Sequence, residues 1–293
     1  MNKVRIVTYN IDGLPDTLDL NDLPWFLKPI AWVYKLFKKT TKIQINDGTN
    51  RAENMCSISE YLNTLNADII AVQEDFNYHN ELMSSLKGYK DSTHTGDISL
   101  DNLFSKTEWK PFPRFKADGL NLITNNATVN TNVYKMRARE DIVRWNKSNG
   151  YISHANDELT HKGFRYYNIT VNNTDIDLYI LHMDADFYNP DSCTDITKDV
   201  EARKDQIEQL IEYIKQKNST NPIIITGDTN STDDYEWDRE NIKLLLNEGF
   251  VEAKPDINDL DRLFYKGDIK ILSASFGRDD LSDHKPLIVD IEV

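Results

Sequence analysis

Apolar residues along this chain gather in short β-branched runs that stop abruptly on polar side chains. VRIVTYN ends at Asn10, ADIIAVQE at Glu74, DLYILH at His182, and IIITGDTN in Gly227, Asp228, Thr229 and Asn230. Each reads as a buried strand delivering a polar group at its end. Further strands are predicted at 119–124, 128–136, 164–171, 262–265, 268–273 and 286–292. Helical spacing shows over 50–66, where Met55, Ile58, Tyr61, Leu62 and Leu65 share a face. It recurs over 197–217, where Val200, Ile207, Leu210, Ile211 and Ile214 align, with acids early and lysines late as the helix dipole favours. A third helix is predicted near 237–248. Strand ends recur from residue 10 to His284 and no Gly/Ser/Pro-rich linker intervenes, so residues 1–293 are expected to form one α/β domain with two packed sheets flanked by helices.

One segment breaks the repeat. Residues 24–39, PWFLKPIAWVYKLFKK, crowd Trp25, Phe26, Ile30, Trp32, Val33, Tyr34, Leu36 and Phe37 among lysines. Two readings stand: a helix packed on the body with its lysines solvated, or an aromatic, basic stretch lying in a membrane interface. It is too short and too charged to span a bilayer.

A net charge of −14 and a pI near 4.9 argue against indiscriminate binding to a polyanion. A nucleic-acid substrate would need a local basic groove, for which Lys162, Arg165, Arg203 and Lys285 are the candidates. Cys56 and Cys193 have no metal-ligand spacing and are expected as reduced thiols. The chain opens on a strand without a charged-then-apolar leader, which favours a cytoplasmic location. A monomer is expected.

Hydrolysis of a phosphate ester needs charge offset on the phosphoryl oxygens, a deprotonated water and a proton or positive charge for the leaving oxygen. A hard divalent cation does the first and assists the second. Mg²⁺ takes oxygen ligands and keeps waters, so one or two carboxylates plus amides suffice. Glu74 is the strongest ligand candidate, because an acid closing a buried apolar strand is costly unless paired. Pairing with a lysine or a backbone amide is the alternative. Asp228 and Asn230 lie two apart, so an extended segment would aim both to one side, the acid accepting a proton from water and the amide orienting it. GDTN is also a good turn sequence. His284, beside Asp283, can carry the positive charge, with Asp261 in DRLFY holding its tautomer. His182 can donate to a phosphate oxygen or be structural. His79, His94, His154 and His161 lie in polar, loop-like surroundings and receive no role.

The ordered series TYN at Asn10, QE at Glu74, DGL at 118–120, LHMDAD at His182, GDTN at 227–230 and SDH at 282–284 resembles the endonuclease/exonuclease/phosphatase superfamily over essentially the whole chain. The resemblance implies a four-layered α/β sandwich with its metal site at one rim. It implies a metal held by Glu74, Asn10, Asp228 and Asp283; Mg²⁺ is the ion expected, with Mn²⁺ left open as an alternative. It further implies nucleophile handling by Asp228 and Asn230, a catalytic His284 oriented by Asp261, and substrate contacts from Asn10, Lys162, His182 and Asn230. Arg203 and Gln206 match a pattern in the family's long helix with a structural role. LTHKGFRYYNITV at 159–171 is similar to the lysine-glycine strand of neutral sphingomyelinases and related lipid phosphodiesterases. NIDGL at 10–14 and the histidine at 182 are also similar to tyrosyl-DNA phosphodiesterases, whereas Asp184 and Asp186 depart from both patterns. The resulting expectation is a Mg²⁺-dependent hydrolase working by in-line water attack without a covalent intermediate. Its substrate would be a lipid or small phosphodiester, a lipid being met at a membrane surface. A nuclease or DNA-end-processing enzyme is the second reading, and a non-catalytic phospho-ligand scaffold the third.

Overall fold

A computed structural model describes residues 3–23, 28–44, 50–92, 94, 96–98, 117–125, 129–130, 142–144, 162–171, 173–185, 197–255 and 259–293. Its strands are β1 (Lys3–Asn10), β2 (Thr17–Asp19), β3 (Lys42–Gln44), β4 (Ile69–Gln73), β5 (Tyr89–Asp91), β6 (Asn121–Asn125), β7 (Val129–Asn130), β8 (Ile142–Arg144), β9 (Gly163–Val171), β10 (Thr174–His182), β11 (Ile223–Asp228), β12 (Val251–Glu252), β13 (Asp261–Lys266), β14 (Lys270–Phe276) and β15 (Leu287–Glu292). Its helices are α1 (Lys28–Lys38), α2 (Arg51–Leu65), α3 (His79–Ser85), α4 (Thr197–Lys217) and α5 (Glu236–Asn247).

Two mixed sheets face each other. The first runs β14-β15-β1-β4-β6-β5 and the second β12-β13-β11-β10-β9-β7, with β8 also on β9, while β2 and β3 form a separate hairpin. The apolar runs are continuous because the central strands are covered on both faces. In β4, Ile69 and Ala71 enter the core between the sheets, and Ile70 and Val72 pack outward beneath α2 and α3. In β10, Ile176, Leu178 and Ile180 face that shared core, while Tyr179 and Leu181 pack with residues of α4 and α5. Helix, sheet, sheet, helix are the four layers.

Helix boundaries follow local chemistry. Asn50 caps α2 by accepting from the Glu53 N–H and donating to the Glu53 carboxylate at 2.9 Å, and Asn66 ends the helix in the left-handed region at φ +49°. Segment 24–39 divides its aromatic residues. Ala31 is buried and Tyr34 half-buried against Leu20, Leu23 and Phe76, but Trp32, Val33 and Leu36 are 64%, 45% and 60% exposed. Among the described side chains of α1, Ala31 and Tyr34 are the apolar ones packed on the body. Trp25 and Phe26 lie outside the described residues, as do residues 131–136 of the strand predicted at 128–136.

The sheets are pinned together by a buried ion pair. Arg165 of β9 donates from Nε and a terminal nitrogen to both oxygens of Asp118 at 2.7 and 2.6 Å, and both residues are fully enclosed. Arg165 is thus unavailable to a surface groove. Arg203 of α4 is equally buried, donating to Asp238 at 3.0 Å and to the Asp184 carbonyl, while Gln206 accepts from the Asp184 N–H. These contacts correct the expectation that Arg165 and Arg203 could line a nucleic-acid groove, and they supply the structural tie expected of Arg203 and Gln206.

Candidate active site

The two sheets bring their polar strand ends to one rim. β1 and β4 run parallel with Asn10 opposite Gln73, and β10 and β11 run parallel with His182 opposite Asp228. β13 is antiparallel to β11 and sets Asp261 opposite Asp228. Asn10, His182, Asp228 and Asp261, far apart in sequence, therefore gather because strand register places them at the same level.

Asp228 is the hub. It is 1% exposed, and its Oδ2 accepts from Asn10 Nδ2 at 3.0 Å while lying 3.3 Å from His182 Nε2 and 3.7 Å from His284 Nε2. Its Oδ1 accepts the Asn230 N–H at 2.8 Å. Burial alone would raise this carboxyl, but His284, His182, Lys162 and the Asn230 amide outweigh that and hold it below the ordinary range. Asp228 is a carboxylate at neutral pH.

Asn230 reaches the site by a turn. β11 ends at Asp228, and Asn230 adopts φ +47° with its side-chain amide donating to the Met183 carbonyl at 2.8 Å. The same-side alternation expected of an extended Asp-x-Asn segment is replaced by a turn in which the backbone amide, rather than the side chain, serves Asp228. The strand runs only as far as Asp228, and from there the turn reading of GDTN is the one that applies. Gly227 is required immediately before it. Its φ is +141°, and an added Cβ would lie 2.0 Å from the Leu181 carbonyl oxygen.

Glu74 follows the end of β4 in a left-handed conformation, φ +58°, which turns it off the strand axis. Its Oε1 accepts from Asn10 Nδ2 at 3.2 Å. Burial pushes its carboxyl up to about 7, Lys162 opposes that, and Asp283 and Asp12 add to it. A desolvated acid crowded by other anions has the electrostatics of a cation ligand, and its donor set of carboxylate and amide oxygens suits Mg²⁺. Asp283 itself is exposed at the rim, accepting from Ser282 Oγ at 3.1 Å. Gly13 packs so closely beneath this turn that a Cβ there would lie 2.2 Å from the Glu74 carbonyl oxygen.

The two histidines are driven to opposite protonation states. His284 Nδ1 lies 2.6 Å from Asp261 Oδ2. Burial works against its charge, but Asp228, Asp261 and Asp283 more than offset this and raise it well above the usual histidine range. Asp261 is itself raised by burial despite the His284 hydrogen bond. His182, 2% exposed, is pushed down to about 3 by burial and by Lys162, so it stands neutral beside Asp228. Lys162 is nearly enclosed, donating to the Met183 carbonyl at 3.1 Å. An imidazolium, a neutral imidazole, a lysine and a carboxylate within one pocket can bind an anionic phosphoryl group, accept a proton and return one.

Every sequence-predicted site residue lies at this rim. A second group escaped that reading. His79 lies on α3 rather than in a loop, and it gathers with Asp75 and His94, one potential ligand atom from each lying within 4.8 Å of the others. The i, i+4 spacing of Asp75 and His79 was the available signal. His154 and His161 lie outside the described residues, as does Asp186, whereas Asp184 is fully buried.

Solved structures share this arrangement of elements. An endonuclease/exonuclease/phosphatase from Bacteroides vulgatus aligns at TM-score 0.62 and 15% identity over 100% of both chains. A double mutant of Staphylococcus aureus beta toxin with bound magnesium ions aligns at TM-score 0.62 and 15% identity over 98% of this chain and 99% of that one. A humanized D. rerio TDP2 aligns at TM-score 0.61 and 13% identity over 99% of each chain. No curated protein matches the sequence. The Endonuclease/Exonuclease/phosphatase family description matches residues 7–284, from within β1 to His284, and the chain belongs to that family of phosphohydrolases.

Proposed function

We propose that the protein is a Mg²⁺-dependent phosphodiesterase that transfers the phosphoryl group directly to water, and that its substrate is a lipid or another small phosphodiester. The observation that carries this reading is the convergence of Asn10, His182, His284 and the Asn230 amide on the Asp228 carboxylate, with Asn10 also bonded to Glu74. Glu74, Asn10, Asp228 and Asp283 are the residues that would hold Mg²⁺. The ion would supply charge offset on the phosphoryl oxygens and a lowered water pKa. Asp228, ionised and fixed by four partners, accepts the proton of the attacking water. Asn10 keeps that carboxylate turned toward Glu74. His284, charged and braced by Asp261, opposes negative charge that grows on the phosphoryl oxygens. Lys162 and neutral His182 complete an electropositive cradle for the anionic substrate.

The lipid preference is supported by α1. Trp32, Val33 and Leu36 stand out from a helix whose Lys28, Lys35 and Lys38 are also exposed, on a chain of net charge −14. The stripe that anchors α1 packs beside Phe76, two residues after Glu74. An apolar, basic helix next to the site suits a phospholipid surface. Turnover of sphingomyelin, inositol phosphates, single-stranded DNA and a generic phosphodiester, each with Mg²⁺, tests the proposal. Preferred cleavage of a lipid phosphodiester is the expected result. A preference for DNA would establish the nuclease reading instead, and no turnover of any member would sink the enzymatic one.

A further inference from the structure

Asp75 immediately follows Glu74 yet takes no part in the hydrogen bonds around Asp228. It is 1% exposed, and its Oδ2 accepts from Asn121 Nδ2 at 2.8 Å and lies 2.8 Å from His79 Nδ1. Its second oxygen, Oδ1, is enclosed and has no hydrogen-bond partner among the described residues. An enclosed carboxylate oxygen without a donor is costly, and a coordinated cation removes that cost.

The histidines are oriented in a way that fits coordination. Their rings stack with centroids 4.2 Å apart and planes 5° from parallel. His94 Nε2 lies 2.7 Å from the Phe76 carbonyl, which can only accept, so Nε2 carries the proton and Nδ1 keeps its lone pair. His79 Nδ1 lies 2.8 Å from Asp75 Oδ2, which can only accept, so without a metal Nδ1 carries the proton; a cation would take that proton's place between the two atoms, leaving Nε2 to face Asp91 Oδ2 at 3.5 Å. Carbonyl and carboxylate partners on the far nitrogen are what set the tautomer of metal-ligating histidines. One donor atom each from Asp75, His79 and His94 already lies within 4.8 Å of the others. Ligands about 2.0 to 2.1 Å from a tetrahedral Zn²⁺ are roughly 3.3 Å apart. Closing the group therefore takes side-chain movements on the order of an ångström.

We infer that Asp75, His79 and His94 form a second metal site, distinct from the Glu74 site and suited to Zn²⁺ or a neighbouring first-row divalent ion. Two imidazole nitrogens and one carboxylate select against Mg²⁺ and Ca²⁺, which take oxygen ligands, and favour the nitrogen-binding metals. The ion would tie three pieces of chain together: the turn after β4, α3, and the residues that follow β5. Its role is to brace the turn that presents Glu74, and it does not depend on the proposed substrate. The competing state of the same side chains is a metal-free ion pair, with protonated His79 held between Asp75 and Asp91.

Calorimetric titration of the chelator-stripped full chain with Zn²⁺, in saturating Mg²⁺, separates these states. Wild type should bind one equivalent, and Glu74→Gln should bind it with unchanged affinity. His94→Gln and His79→Gln should each weaken it by about 100-fold or more, the scale of losing a direct ligand rather than a supporting contact. Co²⁺ substituted for Zn²⁺ should give visible absorption bands in wild type that both histidine variants lose. Mg²⁺-dependent phosphodiester turnover by His94→Gln reports separately on the catalytic reading. Failure of wild type to bind Zn²⁺ under Mg²⁺ would overturn the inference, as would Zn²⁺ binding lost in Glu74→Gln but kept in His94→Gln.

Discussion

Replacing Asp228 with asparagine preserves the shape of the hub and removes its charge. The carboxylate accepts at 3.0 Å from Asn10 and at 2.8 Å from the Asn230 amide, and it lies 3.3 and 3.7 Å from two imidazoles. An amide in its place turns one acceptor into a donor, facing a pocket already full of donors. Loss of a positioned proton acceptor costs about 10² to 10⁴ in rate. The middle of that range, about 10³, corresponds to about 4 kcal/mol of transition-state stabilisation. The expected result for Asp228→Asn is a thousandfold lower kcat on a soluble chromogenic phosphodiester with Mg²⁺. KM should change little, because Lys162 and His284 still attract the anion and neutral His182 can still donate to it. Steady-state kinetics supply the rate, and a circular-dichroism melt reports whether the variant is folded. A folded Asp228→Asn enzyme that keeps more than about a tenth of the wild-type kcat would refute the assignment of proton transfer to this residue.

Three further outcomes follow from the same structure. Arg165→Met strips a buried Asp118 of its guanidinium and should cost about 3 to 5 kcal/mol in urea unfolding, whereas Arg165→Met with Asp118→Leu should recover most of it; equal losses in the single and double variants would contradict the pairing argument. Gly227→Ala forces a Cβ against the Leu181 carbonyl at positive φ and should destabilise by about 3 kcal/mol, read as a lowered denaturation midpoint. Trp32→Asp with Leu36→Asp should abolish sedimentation with anionic phospholipid vesicles and leave kcat on a soluble phosphodiester unchanged, since both side chains are exposed; undiminished vesicle binding would assign α1 no membrane role.

The β-branched runs made the central strands legible, because a strand covered on both faces must be apolar at every position. The run IIITGDTN contains β11 at Ile223–Asp228, and the 21-residue α4 coincides with the periodic stretch at 197–217. The short elements were not legible. α3 carries only seven residues, one of them fully buried hydrophobic, and β5 has none that is fully buried, so neither leaves a period to detect. At the site, residue types and order identified the rim, since a polar group ending an apolar run has few other reasons to be there. What could not be read was backbone sign. Glu74 and Asn230 both take positive φ, and that conformation, set by tertiary contacts with Gly13 and Met183, decides where each side chain points. Asp118 and Arg165 were visible only as separate motifs, because nothing local announces a pairing across 47 positions.

The pairing of β1 with β15 has a consequence for the order of assembly. β1 sits in the middle of its sheet, with β4 on one side and β15 on the other, and its register joins Lys3 to Glu292. During synthesis one edge of that strand stays unsatisfied until nearly the whole domain has left the ribosome, and the loop carrying His284 arrives with the strand that closes it. A nascent chain can collapse around β4, β10 and β11 well before then, but the imidazolium that balances Asp228 is among the last parts delivered. Completion of the Asp228 cluster and closure of the first sheet are therefore coupled to the same late event, and an interrupted chain would present an open, apolar strand edge without His284.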